Sequence, residues 1–227
     1  RGGFNRSPHP QMQEEYPEAY IAMGLTAENL ARQHDISRAR QEEFALASHQ
    51  KAAAALDAGR FDEELVAIKT AEGEVSTDGC IRADTALEKM ARLPPAFAED
   101  GMVTAATSSP LTDGAAFVIV ASEEFAEARG LTPMARIVST AVAGVPPEIM
   151  GIGPVPATRK ALERAGLTLE DMDVIELNEA FSSQSLAVID ELGLDGSRLN
   201  LDGGAIAIGH PLGASGARIT GKAAALL

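Results

Sequence analysis

Apolar positions recur at helical spacing over residues 20–32, with Thr26-Ala27-Glu28-Asn29 near a turn boundary. A second, longer helical run opens at Ser37 as N-cap, passes through Glu43, Phe44, Ala47 and the alanines at 52–55, and stops at Gly59. Residues 64–69 predict a short strand, and residues 77–95 a loop with a short helix. Small and β-branched runs at 103–109 and 115–121 predict buried strands. A helix over 122–130 and a strand over 135–143 follow. Further on come a helix over 158–166 with Gly166 as its stop, a strand over 173–177, and a helix from about 179 to 192 that this strand feeds. Residues 199–201 lead into a glycine-rich stretch, and a final helix begins near Ser215.

From Val118 onward strands and helices alternate, the pattern of an α/β fold in which helices cover a sheet. The first hundred residues are irregular by comparison, which divides the chain near residue 110. The stretch before Pro17 is rich in Pro, Gln and Glu and is expected to form a surface loop or arm. The last helix runs out in Ala223-Ala224-Ala225-Leu226-Leu227 with no cap or polar exit, and the sequence opens on Arg1. Both ends therefore point to a piece of a longer polypeptide. No repeat of 20–50 residues and no low-complexity segment is present.

The 227 residues carry 19 Lys and Arg against 33 Asp and Glu, a net charge of −14. Such an acidic chain lacks the general basic face that nucleic acid requires, and an anionic ligand would need a local positive spot. A single cysteine excludes an internal disulfide framework and a Cys-rich zinc site. No apolar run approaches the roughly 18–20 residues that a membrane span needs. A soluble, cytoplasmic protein is expected.

The densest chemical signal is the segment from Asn200 to Arg218. Glycines at 203, 204, 209, 213 and 216 allow sharp turns and close approach to a ligand. His210 lies between Gly209 and Pro211, and the proline restrains the backbone that carries the imidazole. Its ordinary pKa suits proton transfer near neutrality. The plain alternative is a turn histidine bonded to a carbonyl; the surrounding glycines and the helix that follows favour chemistry. The loop lacks the Gly-Lys-Ser/Thr ending of a Walker loop, and its Gly209-x-x-x-Gly213-x-x-Gly216 spacing is not the dinucleotide fingerprint. In Val174-Ile175-Glu176-Leu177-Asn178-Glu179-Ala180-Phe181, Asn178 and Glu179 fall where a strand gives way to a helix. They serve equally as active groups or as a helix cap and first-turn acid. The 104–109 run with Asp113-Gly114-Ala115-Ala116 forms a small-residue corner against which a ligand could lie. Arg82 and Lys89 are local positives and candidate anion contacts. Cys80 has no histidine near it in sequence and is set aside as a nucleophile.

Together these segments resemble the thiolase family of coenzyme A-dependent acyltransferases, which cleave or form 3-ketoacyl-CoA. The resemblance is carried by Asn178-Glu179-Ala180-Phe181 and by the run from Gly203 through His210-Pro211 to Gly216. It extends to Met23-Gly24-Leu25-Thr26-Ala27-Glu28-Asn29, Ile36-Ser37-Arg38, Val103-Thr104-Ala105 with Ser109 and Asp113-Gly114-Ala115-Ala116, and Gly151-Ile152-Gly153-Pro154. It implies a thiolase-like layered α/β fold, helices covering mixed β-sheets, with an irregular loop domain. Residues 1–110 would be the loop domain, 111–130 the end of the N-terminal half, and 131–227 much of the C-terminal half. The family's histidine falls on His210, which takes the thiol proton and helps hold the thioester oxygen. Its active-site asparagine falls on Asn178, which positions a water in the same oxyanion hole. Pantetheine and adenine contacts would fall near Met23, Arg82, Lys89, Phe97, Ala105 and Ser109. Met150 and Phe181 would line the acyl pocket. Coenzyme A and acyl-CoA enter as substrates, with no permanently bound cofactor or metal, and a homodimer or homotetramer is implied for the complete protein.

The sequence departs from the family in several respects. The family's nucleophilic cysteine and its Cys-x-Gly-x-Gly acid/base are both missing, and Cys80 matches neither. Ala105-Ala106-Thr107 replaces the commoner Ala-Gly-Asn, and Ala22 stands where some biosynthetic members have a pocket histidine. The oxyanion hole and one base are thus expected without the nucleophile, so this stretch is not expected to turn over alone. The alternative implied is a non-catalytic acyl-CoA-binding or assembly subunit with a cysteine-bearing partner.

Overall fold

The computed structural model describes residues 7–227. Part of the expected N-terminal arm, residues 1–6, lies outside the described residues. The rest folds as a short helix α1 (Pro10–Glu15) and a 3-10 turn over Pro17–Tyr20, tied together where the His9 amide donates to the Tyr20 hydroxyl at 2.9 Å. Next come α2 (Met23–Gln33), α3 (Arg38–Asp57), the hairpin β1 (Ile68–Thr70) and β2 (Gly73–Val75), α4 (Leu87–Met90) and a 3-10 turn over Ala105–Thr107. The second part holds α5 (Glu123–Ala128), a 3-10 turn over Pro147–Ile152, α6 (Pro154–Ala165), α7 (Ser182–Leu192), α8 (Ala205–Ile208) and α9 (Leu212–Leu226).

Local chemistry sets the helix ends. Ser37 Oγ accepts from the Arg40 amide at 3.2 Å to start α3, and Ser122 Oγ accepts from the Phe125 amide at 3.2 Å to start α5. Gly166 and Gly193 follow α6 and α7 at φ of +67° and +64°, a left-handed stop that a side chain would oppose. Ile36-Ser37-Arg38 does more than open α3. The Arg38 guanidinium pairs with Glu42 and donates to the carbonyls of Met90, Ala91 and Leu93, holding the chain after α4.

The core has two clusters that share Phe44. One joins Leu30 and Ile36 to Leu186 and Ala187, locking α2 and α3 against α7. The other joins Ala45 and Met90 to Ile206, setting α3 against α8. Gly151 lets the Pro147–Ile152 turn reach Leu30 and Gln184, so this turn wedges between α2 and α7. Asn29 Nδ2 donates to the Glu148 carbonyl at 2.9 Å across the same seam. Residues from both parts of the chain therefore build one core, even though the sequence changes character near residue 110.

Glu28 is the strongest single tie in α2. It is fully buried, and its carboxylate accepts from the amides of Met102 at 3.0 Å and Val103 at 2.9 Å. Glu28→Ala strands these amides in the core, so unfolding free energy should drop by about 3 kcal/mol. Urea denaturation reads this directly; an unchanged midpoint would show that the amides find other partners.

The expected strands are only partly realised. The ladder β1–β2 is short and exposed along its whole length, and starts later than residue 64. Residues 103–109 give isolated bridges, Thr104 with Pro95 and Ser108 with Phe181, around a 3-10 turn. Residues 173–177 contribute one parallel bridge, Ile175 with Leu199. Residues 115–121 and 135–143 carry no ladder, and Phe117 and Ile119 are 93% and 91% exposed. Apolar, β-branched sequence favours extended chain, but a strand exists only where another pairs its amides and carbonyls. Among the described residues no such neighbour flanks these two runs. No described helix is long and apolar enough to cross a membrane.

Candidate active site at the histidine loop

The site begins where residues 175–179 run beside 198–202. The Ile175 amide donates to the Arg198 carbonyl and the Asn200 amide to the Ile175 carbonyl, each at 2.9 Å. Asn200 then takes a left-handed conformation, φ +42°, which asparagine tolerates better than most residues. Its side chain brackets Leu177, accepting from the Leu177 amide at 2.8 Å and donating to the Leu177 carbonyl at 2.9 Å.

Glu179 locks this segment from beneath. It is 2% exposed and accepts from Ser48 Oγ at 2.7 Å, Asn200 Nδ2 at 2.8 Å and the Ile206 amide at 3.2 Å. Burial pushes its carboxyl upward against the lowering effect of these donors. The glycine pair explains the close fit. Gly203 has φ +79°, and a side chain there would sit 2.6 Å from the Ser48 carbonyl; one at Gly204 would overlap the Glu179 carboxylate. The small face of α3, Ala45, Ser48 and Ala52, is what admits the loop backbone. Glu179 is therefore neither helix cap nor exposed first-turn acid: α7 starts at Ser182, and Phe181 occupies the N-cap position without a side-chain cap.

On the other side of this lock stand Asn178 and His210. Asn178 Nδ2 lies 3.3 Å from His210 Nε2, while Asn178 Oδ1 is buried without a partner among the described residues. The opposite ring nitrogen, Nδ1, is 2.6 Å from Ser215 Oγ. Gly209, at φ +106°, packs on Thr112, and Gly114 packs on Pro211, so residues 112–114 cover the loop. Burial, with Arg218 second, holds the His210 imidazole below its ordinary pKa. The Arg218 charge also bears on Glu176, whose two buried oxygens lack partners and whose carboxyl is raised to about 7, mainly by desolvation.

The remaining predicted site residues divide. Phe97 and Phe181 meet edge to face, centroids 5.6 Å apart and planes at 86°, and Phe97 covers Gly24 next to Met23. The Ser109 amide donates to the Ala180 carbonyl at 3.0 Å, which brings Ser109 alongside Phe181. Ala105 is exposed on its 3-10 turn, and Met150 stands half-exposed on the Pro147–Ile152 turn. Arg82 donates its amide to His49 Nδ1 at 3.1 Å and makes no ion pair among the described residues. Lys89 is different: its ammonium is held by Asp84, at 2.7 Å from the carboxylate and 2.8 Å from the carbonyl. Both partners are exposed, so this is a surface pair at the candidate anion contact. Cys80 lies 4.0 Å from Thr112 Oγ1. The apolar pocket between α6 and α7, lined by Leu162, Met172, Val174 and Val188, contains none of the predicted site residues.

Family comparison decides what this loop belongs to. The model "Thiolase, N-terminal domain" matches residues 11–124 and "Thiolase, C-terminal domain" matches residues 131–227. The chain belongs to the thiolase family. An acetyl-CoA acetyltransferase of Paracoccus denitrificans is 55% identical over 201 residues, covering 87% of this chain and 51% of the relative. A 3-ketoacyl-CoA thiolase of Bacillus subtilis is 46% identical over 231 residues, covering 96% of this chain and 59% of the relative. The chain thus spans about half the length of the curated relatives it matches. Its backbone follows human mitochondrial 3-ketoacyl-CoA thiolase with a TM-score of 0.85 at 46% identity, over 91% of this chain and 53% of that one. The same human enzyme has a crystal structure in complex with CoA. The α/β fold of this chain is accordingly thiolase-like.

Two residues of this thiolase site carry no obvious mark in the sequence. Ser48 lies on a helix of the irregular first part, more than a hundred residues from Glu179, and only tertiary packing pairs them. Ser215 was readable as the start of a helix, but its contact with a ring five residues back depends on the turn at Gly209-His210-Pro211.

Proposed function

We propose that this chain acts within a thiolase that cleaves 3-ketoacyl-CoA with coenzyme A, or runs the reverse Claisen condensation of acetyl-CoA. The observation that carries this reading is the pairing of His210 Nε2 with Asn178, next to a buried, unpartnered Asn178 Oδ1. An imidazole kept neutral can take the proton of an incoming thiol. Once protonated, Nε2–H can donate to the thioester oxygen as negative charge develops there, and a water on Asn178 completes the hole. This chain supplies the hole and the base; the nucleophilic thiol comes from a cysteine outside these residues. Phe97 and Phe181, with Met23 and Ser109 beside them, and Met150 on its turn would hold the pantetheine and acyl ends, and exposed Arg82 would meet phosphate. The CoA complex of the human neighbour supports coenzyme A as the ligand. A loop domain over 1–110, a cytoplasmic location and a homo-oligomer complete the proposal.

The test is the denatured mass of the purified protein, together with thiolysis of acetoacetyl-CoA. A mass well above 23.7 kDa with thiolysis supports the enzyme. A protein of 23.7 kDa that binds CoA without turnover would replace it with the acyl-CoA-binding subunit.

A further inference from the structure

We propose that Ser215 is a positioning residue that fixes which nitrogen of His210 carries the proton; this rests on the role of His210 given above. Ser215 sits in the first turn of α9 and is 4% exposed. Its hydroxyl hydrogen is directed back to the Pro211 carbonyl at 3.2 Å, the usual bond of a serine to the carbonyl one turn earlier. The hydroxyl oxygen then faces His210 Nδ1 as an acceptor at 2.6 Å, so Nδ1 holds the hydrogen. The other side of the ring agrees. A donor, Asn178 Nδ2, faces Nε2 at 3.3 Å, so Nε2 presents its lone pair.

Only this tautomer makes Nε2 a base. A free imidazole prefers its hydrogen on Nε2, and the partner of the second nitrogen decides the outcome in a protein. Without the Ser215 hydroxyl the ring is released toward the Nε2–H form, which cannot accept the thiol proton. The same contact supports the ring when both nitrogens are protonated, because Nδ1–H remains a donor throughout. Arg218, also on α9, is the charged group that bears on the ring, and it opposes protonation. Ser215 therefore supports the imidazolium in a setting that otherwise disfavours it.

The experiment compares wild type, Ser215→Ala and Ser215→Thr in the complete enzyme. Thiolysis is followed against pH, and the imidazole nitrogens are read by 15N NMR, with His210→Asn to assign the signal. Ser215→Ala should lower kcat by roughly 10- to 100-fold, part of what a positioned acid–base group supplies, while KM changes by less than about two-fold. Its acid limb should move to lower pH, and Ser215→Thr, which keeps the hydroxyl, should restore most of the rate. The wild-type spectrum should show hydrogen on Nδ1, moving toward Nε2 in Ser215→Ala. Hydrogen on Nε2 in wild type, or an unchanged tautomer and acid limb in Ser215→Ala, would overturn the proposal. If wild type shows no thiolysis, the functional reading fails, yet the nitrogen spectrum still decides the role of Ser215.

Discussion

His210→Ala in the complete enzyme should abolish thiolysis of acetoacetyl-CoA, lowering kcat by roughly 10⁴-fold or more, since one ring serves as both base and oxyanion donor. The side chain is half-buried and, among the described residues, bonds to Asn178 and Ser215 alone, so the melting temperature should change little. A large rate loss with unchanged stability separates chemistry from a turn histidine that merely ties the loop. The pH dependence provides a second check. Burial and the Arg218 charge both disfavour the imidazolium, so the ring is neutral, and competent as a base, at pH 7. As pH falls the base is lost only below the ordinary histidine value, so the acid limb of kcat/KM in wild type should lie below that value. An unchanged rate in His210→Ala would refute the assignment.

Much of the site was legible because it rests on local rules. A histidine between glycine and proline, followed by a helix, is a feature of chain geometry, and the structure places it on such a turn. The helices α2, α3, α6 and α7 were legible from apolar spacing and from the Ser37, Gly59 and Gly166 signals, with ends shifted by a few residues. Helix α7 starts later than expected because Glu179 is drawn into the core by Ser48 and Asn200, which prevents it from serving as a first-turn acid. Asn200 was not singled out, since its role depends on the backbone of Leu177 and on a left-handed turn that no periodicity encodes. The Asp84 partner of Lys89 was not legible either, because a loop ion pair follows no periodicity. The apolar runs at 115–121 and 135–143 show the opposite limit. Their composition states a preference for strand, but pairing is a property of two segments.

One design feature unites these cases. The Asn178–His210 pair is held by surrounding groups that come from the first part of the chain as well as the second. Ser48 on α3 bonds Glu179 and, at 3.0 Å, the Gly204 amide, so a single hydroxyl joins the Asn178 segment to the loop that leads to His210. A second tie flanks it. Lys222 on α9 is almost fully buried and pairs with Asp202 at 2.6 Å and Glu64 at 2.7 Å, and Arg60 reaches Asp202 at 2.8 Å. Such buried charges cost desolvation energy and contribute little net stability, but they oppose any sliding of the loop against α3 and α9. Placement of His210 Nε2 at 3.3 Å from Asn178 Nδ2 is a consequence of these contacts.

Asn178→Ala should lower kcat by ~10²–10³, the usual loss for one oxyanion-hole element. The binding of acyl-CoA should be little affected, because the amide acts on charge that develops during reaction. Thermal stability should also hold, for Asn178 caps no helix: among the described residues its side-chain amide meets His210 alone, and its Oδ1 has no partner. A large drop in melting temperature with a proportionate loss of activity would return Asn178 to a structural role. Asn178→Asp sharpens the test. The carboxylate is nearly isosteric, so packing is kept, but it places a negative charge about 3 Å from Nε2, within the range at which opposite charges favour the charged form. The imidazolium is then stabilised, the acid limb should move to higher pH, and the hole becomes electrostatically hostile to an oxyanion. Loss of turnover in both variants, with the acid limb moved further upward in Asn178→Asp than in Asn178→Ala, is the result expected if Asn178 and His210 act on the same oxygen.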